Sequence, residues 1–282
     1  MADYLRIFST MADYEAYIAG SYDKPNVSYI EATGETIYTN YEDEPTADTV
    51  ITGLKIADFT GTNFNRADKY ITEAVVPEGV TTLKNYSGNY HDGAFSRCSS
   101  LTKVTLPSTL TTMESGAFFQ CFSLTDVNLK DTALTSIGVE AFYQCTALTS
   151  IDIPSTVTYI TNDGTKVNSG AFQNCTSLTS VNFLGVPTLT AIGSYSFQGC
   201  TALTSIDIPS TVTIIGDNAF RQCGILASIT VNATTPPTFG SHALTGTSNN
   251  LVIHVPAESV DTYKAASGWS TYASKIQAIP SE

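Results

Sequence analysis

The chain has 282 residues, with 13 basic against 26 acidic side chains and a formal net charge of −13. Phosphate backbones and anionic lipid carry the same sign, and no basic block overrides that repulsion, so nucleic acid and membrane surfaces are excluded as partners. The length allows one large domain or two small ones, and no run reaches the ~18 apolar residues of a membrane-spanning helix.

Residues 1–60 are rich in Tyr, Asp and Glu and carry many of the chain's acidic groups. Met1 to Gly20 lacks a basic start followed by an apolar stretch, so a secretory signal is not expected. Tyr4 to Phe8 reads as a strand, and Ser9 or Thr10 can cap a short helix through Ile18. Val27 to Ile30 and Thr36 to Tyr38, around Thr33-Gly34, read as a hairpin. This small α+β element is expected to act as an anchor to a larger assembly. Residues 61–92 follow as an opening coil, because Ile71 to Leu83 (ITEAVVPEGVTTL) is half of the unit that then repeats.

That unit occupies residues 93–250. Cysteines stand at 98, 121, 145, 175, 200 and 223, at intervals of 23, 24, 30, 25 and 23 residues. Each follows a phenylalanine by three positions: Phe95, Phe118, Phe142, Phe172, Phe197 and Phe220. The unit reads A-F-x-x-C-x-x-L-T-x-[IV]-x-[IL]-P-x-x-V-x-x-I-G, with Ser196 in place of one alanine. A fixed period of this length with Leu and Ile at set offsets predicts a solenoid whose coils bury their apolar sides only against one another. Val104-Thr105-Leu106 and Ile151-Asp152-Ile153 alternate apolar and polar, which predicts a short strand with one face buried and, on stacking, a parallel sheet. Pro77, Pro107, Pro154 and Pro209 end these strands. Val157 with Ile160, and Val212 with Ile215, are expected on the opposite wall.

The cysteines are expected to be free, buried thiols, each filling the same interior slot. A disulfide would need neighbouring thiols to turn toward each other, although the repeat points them all one way. Zinc would need ligand pairs at short spacing, and none occurs. The longest interval carries its excess in Thr161 to Ser169 (TNDGTKVNS), predicted to loop out from the rod. Residues 251–282 read as a cap: a strand Leu251 to Val255, a helical stretch from about Ala257 to Ala266, and packing by Val260, Tyr263, Trp269, Tyr272 and Ile276. Trp269, the single tryptophan, is expected to plug the last coil.

The repeated unit resembles the BspA-type leucine-rich repeat, and LVIHVPAESVDTYKAASGWSTYASKIQAI (251–279) resembles the C-terminal cap that closes such arrays. The resemblance implies a leucine-rich-repeat solenoid, right-handed, with a parallel β-sheet on one face and loops and short turns on the other. It further implies adhesion or protein contact without enzymatic activity. Three coils depart from the pattern: Asn232, Lys130 and Gly185 stand where Pro is expected, and Val127-Asn128-Leu129 runs on through Asp131 to Leu134. The segment KPNVSYIEATGETIYTNYE (24–42) is similar to leader segments of proteins from Bacteroides-type gut bacteria and their tailed phages.

Catalysis needs convergent, activated groups. His91, His242 and His254 are scattered, and no H-E-x-x-H, G-x-S-x-G, Walker or G-x-G-x-x-G motif occurs. Neither enzymatic activity nor a cofactor or metal is expected. The regular polar array is the middle position of each strand: Thr105, Asn128, Asp152, Asn182, Asp207 and Thr230. On a parallel ladder these residues form a column about 4.8 Å apart. Such a candidate binding face could hydrogen-bond sugar hydroxyls or hold calcium through Asp152 and Asp207, or serve only as a solvated surface that discourages aggregation.

The expected function is a non-enzymatic structural and binding protein of a phage virion surface, such as a head fibre or decoration. Virion proteins are assembled in the host cytoplasm and released by lysis, so they need no export signal. Residues 1–60 would contact virion or other assembly proteins, and the solenoid a host surface glycan or protein; a homo-oligomer is left open. The alternative is a bacterial surface adhesin or extracellular protein-binding module.

Overall fold

The computed structural model describes residues 28–30, 37–39, 49–51, 71–85, 91–161 and 168–281. The expected strand at 4–8, the helix through Ile18 and the body of the insertion, 162–167, lie outside these residues. The expected hairpin is present, with Ser28–Ile30 antiparallel to Ile37–Thr39 and Tyr29 opposite Tyr38.

Each coil of the repeat contributes to two walls. On the first wall lie Ile71–Val75, Lys103–Thr105, Asp126–Val127, Ser150–Ile153, Ser180–Phe183, Ser205–Ile208, Ser228–Val231 and Val252–Val255. Their alternation decides which side is buried: Ile151 and Ile153, or Ile206 and Ile208, point inward, and the polar residue between them faces out. Thr49–Ile51 pairs in parallel with Ile71–Val75, so this sheet begins upstream of the opening coil.

The second wall holds seven parallel two-residue strands: Thr82–Leu83, Thr112–Met113, Ser136–Ile137, Tyr159–Ile160, Ala191–Ile192, Ile214–Ile215 and Thr238–Phe239. They are hydrogen-bonded in unbroken order. The apolar set V-x-x-I was expected on this wall, and Val157, Ile160, Val212 and Ile215 are buried there. The ladder among the short turns is an addition, formed because coils in register bring each backbone donor against a carbonyl of the preceding coil.

One continuous sheet was expected on the first wall, and there the structure differs. Three parallel sheets occupy it: four strands from Thr49–Ile51 to Asp126–Val127, then Ser150–Ile153 with Ser180–Phe183, then Ser205–Ile208 onward. Both breaks follow coils that lack the strand-ending proline. After Val127 the chain turns at once into a 3₁₀ turn, Leu129–Asp131, which leaves a strand of two residues. After Phe183, Gly185 takes φ +61°, a left-handed conformation that glycine adopts without steric cost, and carries the chain away from the sheet.

The connecting side is built from the A-F-x-x-C residues. The six Phe rings form one stack with neighbouring centroids 5.0 to 5.5 Å apart. All are buried, and burying each contributes about 1.5–3 kcal/mol. Glycine at the coil junction is demanded by contact: a Cβ on Gly170 would lie 1.9 Å from the carbonyl oxygen of Tyr195 in the next coil. Ser196 fills the variant alanine slot for a local reason. Its hydroxyl donates to the Gly193 carbonyl at 2.8 Å and lies 2.8 Å from the Thr161 hydroxyl, at the root of the insertion.

The cap follows the expected course and adds one strand. A 3₁₀ turn, Ala257–Ser259, leads into the helix Val260–Ala265, then a second 3₁₀ segment, Trp269–Lys275. Ile276–Ala278 then pairs in parallel with the strand Val252–Val255. Trp269 is buried against Phe239 and Tyr263, at centroid distances of 4.2 and 5.0 Å. Its indole N–H donates to the Pro237 carbonyl and the Tyr263 hydroxyl to that of Ala233, at 2.8 and 2.7 Å. Both aromatic groups thus bury their rings while satisfying their polar ends.

Candidate binding face

The six polar residues read from the sequence do not form one column. Thr105 lies in the first sheet, half-buried and opposite Val75. Asp152 and Asn182 face each other in the second sheet; in the third, Asp207 lies opposite Thr230. The third column runs on through His254 and Gln277, which sequence reasoning missed because neither lies in an A-F-x-x-C unit. Only Asn182 and Asp207 of the four central members are exposed; Asp152 and Thr230 are half-buried.

Asn128 belongs to the scaffold. It stands just beyond its strand, and its side chain turns back on the neighbouring coil. The Leu106 N–H donates to its Oδ1 at 2.6 Å, and its Nδ2 donates to the Leu106 carbonyl at 3.1 Å. Two backbone groups that would otherwise lack partners at the shortened strand are satisfied this way.

Asp152 and Asp207, the two candidate calcium ligands, lie in different sheets. The Asn182 amide nitrogen donates to Asp152 Oδ1 at 2.8 Å, which presents a donor where a cation requires oxygen. Among the described residues no group of three or more His, Cys, Asp or Glu side chains is placed to hold a metal.

The second break opens a cleft of about 550 Å³ between Ser180–Phe183 and Ser205–Ile208. Its lining includes Asn182, Asp207 and Asn232, with Ser180, Ser205, Thr211 and Val186. Gly185, where proline was expected, is the sequence signal that marks this place.

The cysteines and the histidines among the described residues lie outside this cleft. All six cysteines are buried and outside any disulfide, and desolvation pushes the Cys175 and Cys223 thiols up to about 12, away from reactive thiolate. His91 Nδ1 lies 2.7 Å from Oε2 of the buried Glu140, and Ser169 donates to the other oxygen. His254 sits on the cap strand, its Nδ1 3.4 Å from the Ala278 carbonyl.

No curated protein matches the chain. Among solved structures it is similar to a leucine rich cell surface protein from Faecalibacterium prausnitzii A2-165, at 21% identity over 75% of this chain and 64% of that one, with a TM-score of 0.39. A leucine-rich repeat protein from Bacteroides ovatus is 23% identical over 74% of this chain and 66% of that one, TM-score 0.35. The T. pallidum leucine rich repeat protein is 22% identical over 74% and 87%, TM-score 0.41. The chain thus spans just under two thirds of the length of the first two. A family model for the BspA type leucine rich repeat region matches residues 61–164 and 165–267, in six copies. The chain belongs to the BspA-type leucine-rich repeat family.

Proposed function

We propose that this chain is a non-enzymatic structural and binding protein whose first wall makes the contacts. Leucine-rich repeat proteins are generally binding or scaffold modules. The carrying observation is the division of groups in the rod: the thiols are sealed in the core, where burial raises the pKa values of Cys145, Cys175, Cys200 and Cys223, while amides, hydroxyls and the Asp207 carboxylate face outward beside a cleft. That arrangement suits recognition and supplies no activated nucleophile.

The finer reading is a virion surface protein of a tailed phage, such as a head fibre, with residues 1–60 docking on the assembly and the solenoid meeting the host surface. The likeness of residues 24–42 to leader segments of Bacteroides-type bacteria and their phages supports it. Mass spectrometry and cryo-electron microscopy of purified virions test it, with the chain expected in the particle. Detection on a bacterial envelope and not in virions would turn the assignment to a surface adhesin. Loss of particle binding on deletion of residues 1–60 is expected; retained binding would overturn the anchor.

A further inference from the structure

We propose that the cleft at the second break of the first wall binds a neutral glycan. This rests on the reading of the chain as a binding protein and deepens it by naming a site and a ligand class. The ladder joining Ser150–Ile153 to Ser180–Phe183 does not continue to Ser205–Ile208, and the space opened there, about 550 Å³, falls within the range of small-molecule sites.

The chemistry of the lining selects the ligand. Asn182 Nδ2 is committed to Asp152 and Asn232 Nδ2 to the Ile208 carbonyl, at 2.8 and 3.0 Å. Both amides are thereby oriented, each leaving its carbonyl oxygen as an acceptor and a second N–H as a donor. Asp207 is exposed and pairs with no cation among the described residues. A cleft of oriented amides and hydroxyls around one carboxylate calls for a neutral ligand that both donates and accepts, and a row of sugar hydroxyls is such a ligand. Ser180 and Ser205 can answer as donor or acceptor, and Thr211, whose hydroxyl donates to the Leu189 carbonyl at 2.7 Å, as an acceptor.

An apolar element completes the site. Val186 belongs to the lining, with Phe183 and Pro187, and is 87% exposed. The C–H face of a pyranose ring would cover Val186 and remove that surface from water. Asp207 and the net charge of −13 disfavour anionic ligands. A cationic peptide would find a single carboxylate among neutral groups.

The test titrates the full chain by calorimetry with maltose, cellobiose, lactose and N,N′-diacetylchitobiose, each in low and in high salt. At least one sugar is expected to bind with an affinity insensitive to salt. Asp207→Ala is expected to weaken it about tenfold or more, and Val186→Ser by several-fold. Asp126→Ala, in another sheet of the same wall, should leave it unchanged. Asp207 and Val186 are exposed, so thermal melts of these variants should match the parent. Failure of every sugar to bind overturns the proposal, as does binding that Asp207→Ala leaves intact. Salt-sensitive binding of polylysine in place of sugars overturns it in favour of a cationic peptide. The broader reading fails separately, if the chain is found neither in virions nor on a cell surface.

Discussion

The Sγ of Cys175 lies 3.0 Å from the carbonyl oxygen of Phe142, one coil back. The same thiol-to-carbonyl relation recurs at Cys121, Cys145, Cys200 and Cys223, at 3.0 to 3.2 Å. The column of cysteines is therefore a column of S–H donors that must stay protonated. Burial raises Cys175 and Cys223 from 9.0 to about 12. In the unfolded chain a thiol ionises near its ordinary value, while in the fold it stays neutral. Its contribution is thus full below about pH 9 and is lost as pH rises toward 12. Each pH unit in that window costs roughly 1.4 kcal/mol per thiol. Urea unfolding at pH 8, 9.5 and 11 should show this decline, and a thiol reagent at pH 8 should modify native protein only after denaturant is added.

Gly170→Ala is expected to destabilise the rod by about 3 kcal/mol, near the upper end of ordinary overpacking costs. The added Cβ would meet the backbone of Tyr195, which cannot swing aside as a side chain can. Chemical denaturation reads the effect, and a loss below about 0.5 kcal/mol would contradict the close approach.

Gln222→Gly should act in the opposite direction. The residue before the repeat cysteine has positive φ in every coil: +65° at Arg97, +57° at Gln120 and Gln144, +61° at Asn174 and Gln222, and +71° at Gly199. Gly199 alone fills the position with glycine. Gln222 is exposed, so relief of the left-handed conformation against the greater freedom of an unfolded glycine leaves a gain between zero and about 1 kcal/mol. A destabilised variant would contradict this account of the turn.

Trp269→Ala is expected to cost about 3–5 kcal/mol and to uncover Phe239 and Tyr263 at the end of the array. Self-association at micromolar concentration should accompany the lower Tm, because an uncapped coil presents core and sheet edge to another molecule. Sedimentation velocity checks the second effect. A variant that is destabilised yet strictly monomeric would show that the cap does not protect the edge.

Asn128→Ala separates scaffold from surface. It strands the Leu106 N–H and carbonyl, so a loss of about 1–3 kcal/mol is expected, without change in ligand affinity. Weaker sugar binding at unchanged stability would return Asn128 to the contact face.

The repeat made most of this fold legible. Side-chain direction followed from alternation, the slot for Phe and Cys from their fixed offset, and the cap from its aromatic residues. Even the departures carried meaning, since Lys130 and Gly185 mark the coils where the first wall breaks. What the departures meant could not be read in advance. A missing proline says that the strand is not stopped in the usual way, but whether the chain then turns in 3₁₀ fashion or bulges depends on how Asn128 or Gly185 meets the neighbouring coil. The seven-strand ladder was hidden because two-residue strands carry no alternation of their own. The strand Ile276–Ala278 was hidden because nothing in IQA distinguishes it from a tail until Val252–Val255 lies beside it.

The contrast between the walls has a mechanical consequence. Seven strands bonded without interruption resist separation of coils along one side of the rod, whereas the other side is divided into three plates. Bending therefore costs least about the unbroken wall, as a book opens about its spine, and the gaps between the plates widen or narrow as it bends. A pull along the rod is shared by the spine and the backbone bonds of the Phe–Cys side, such as Phe172 N–H to the Ser196 carbonyl at 2.8 Å, and the cleft beside Asn182 and Asp207 lies where no ladder holds the first wall together.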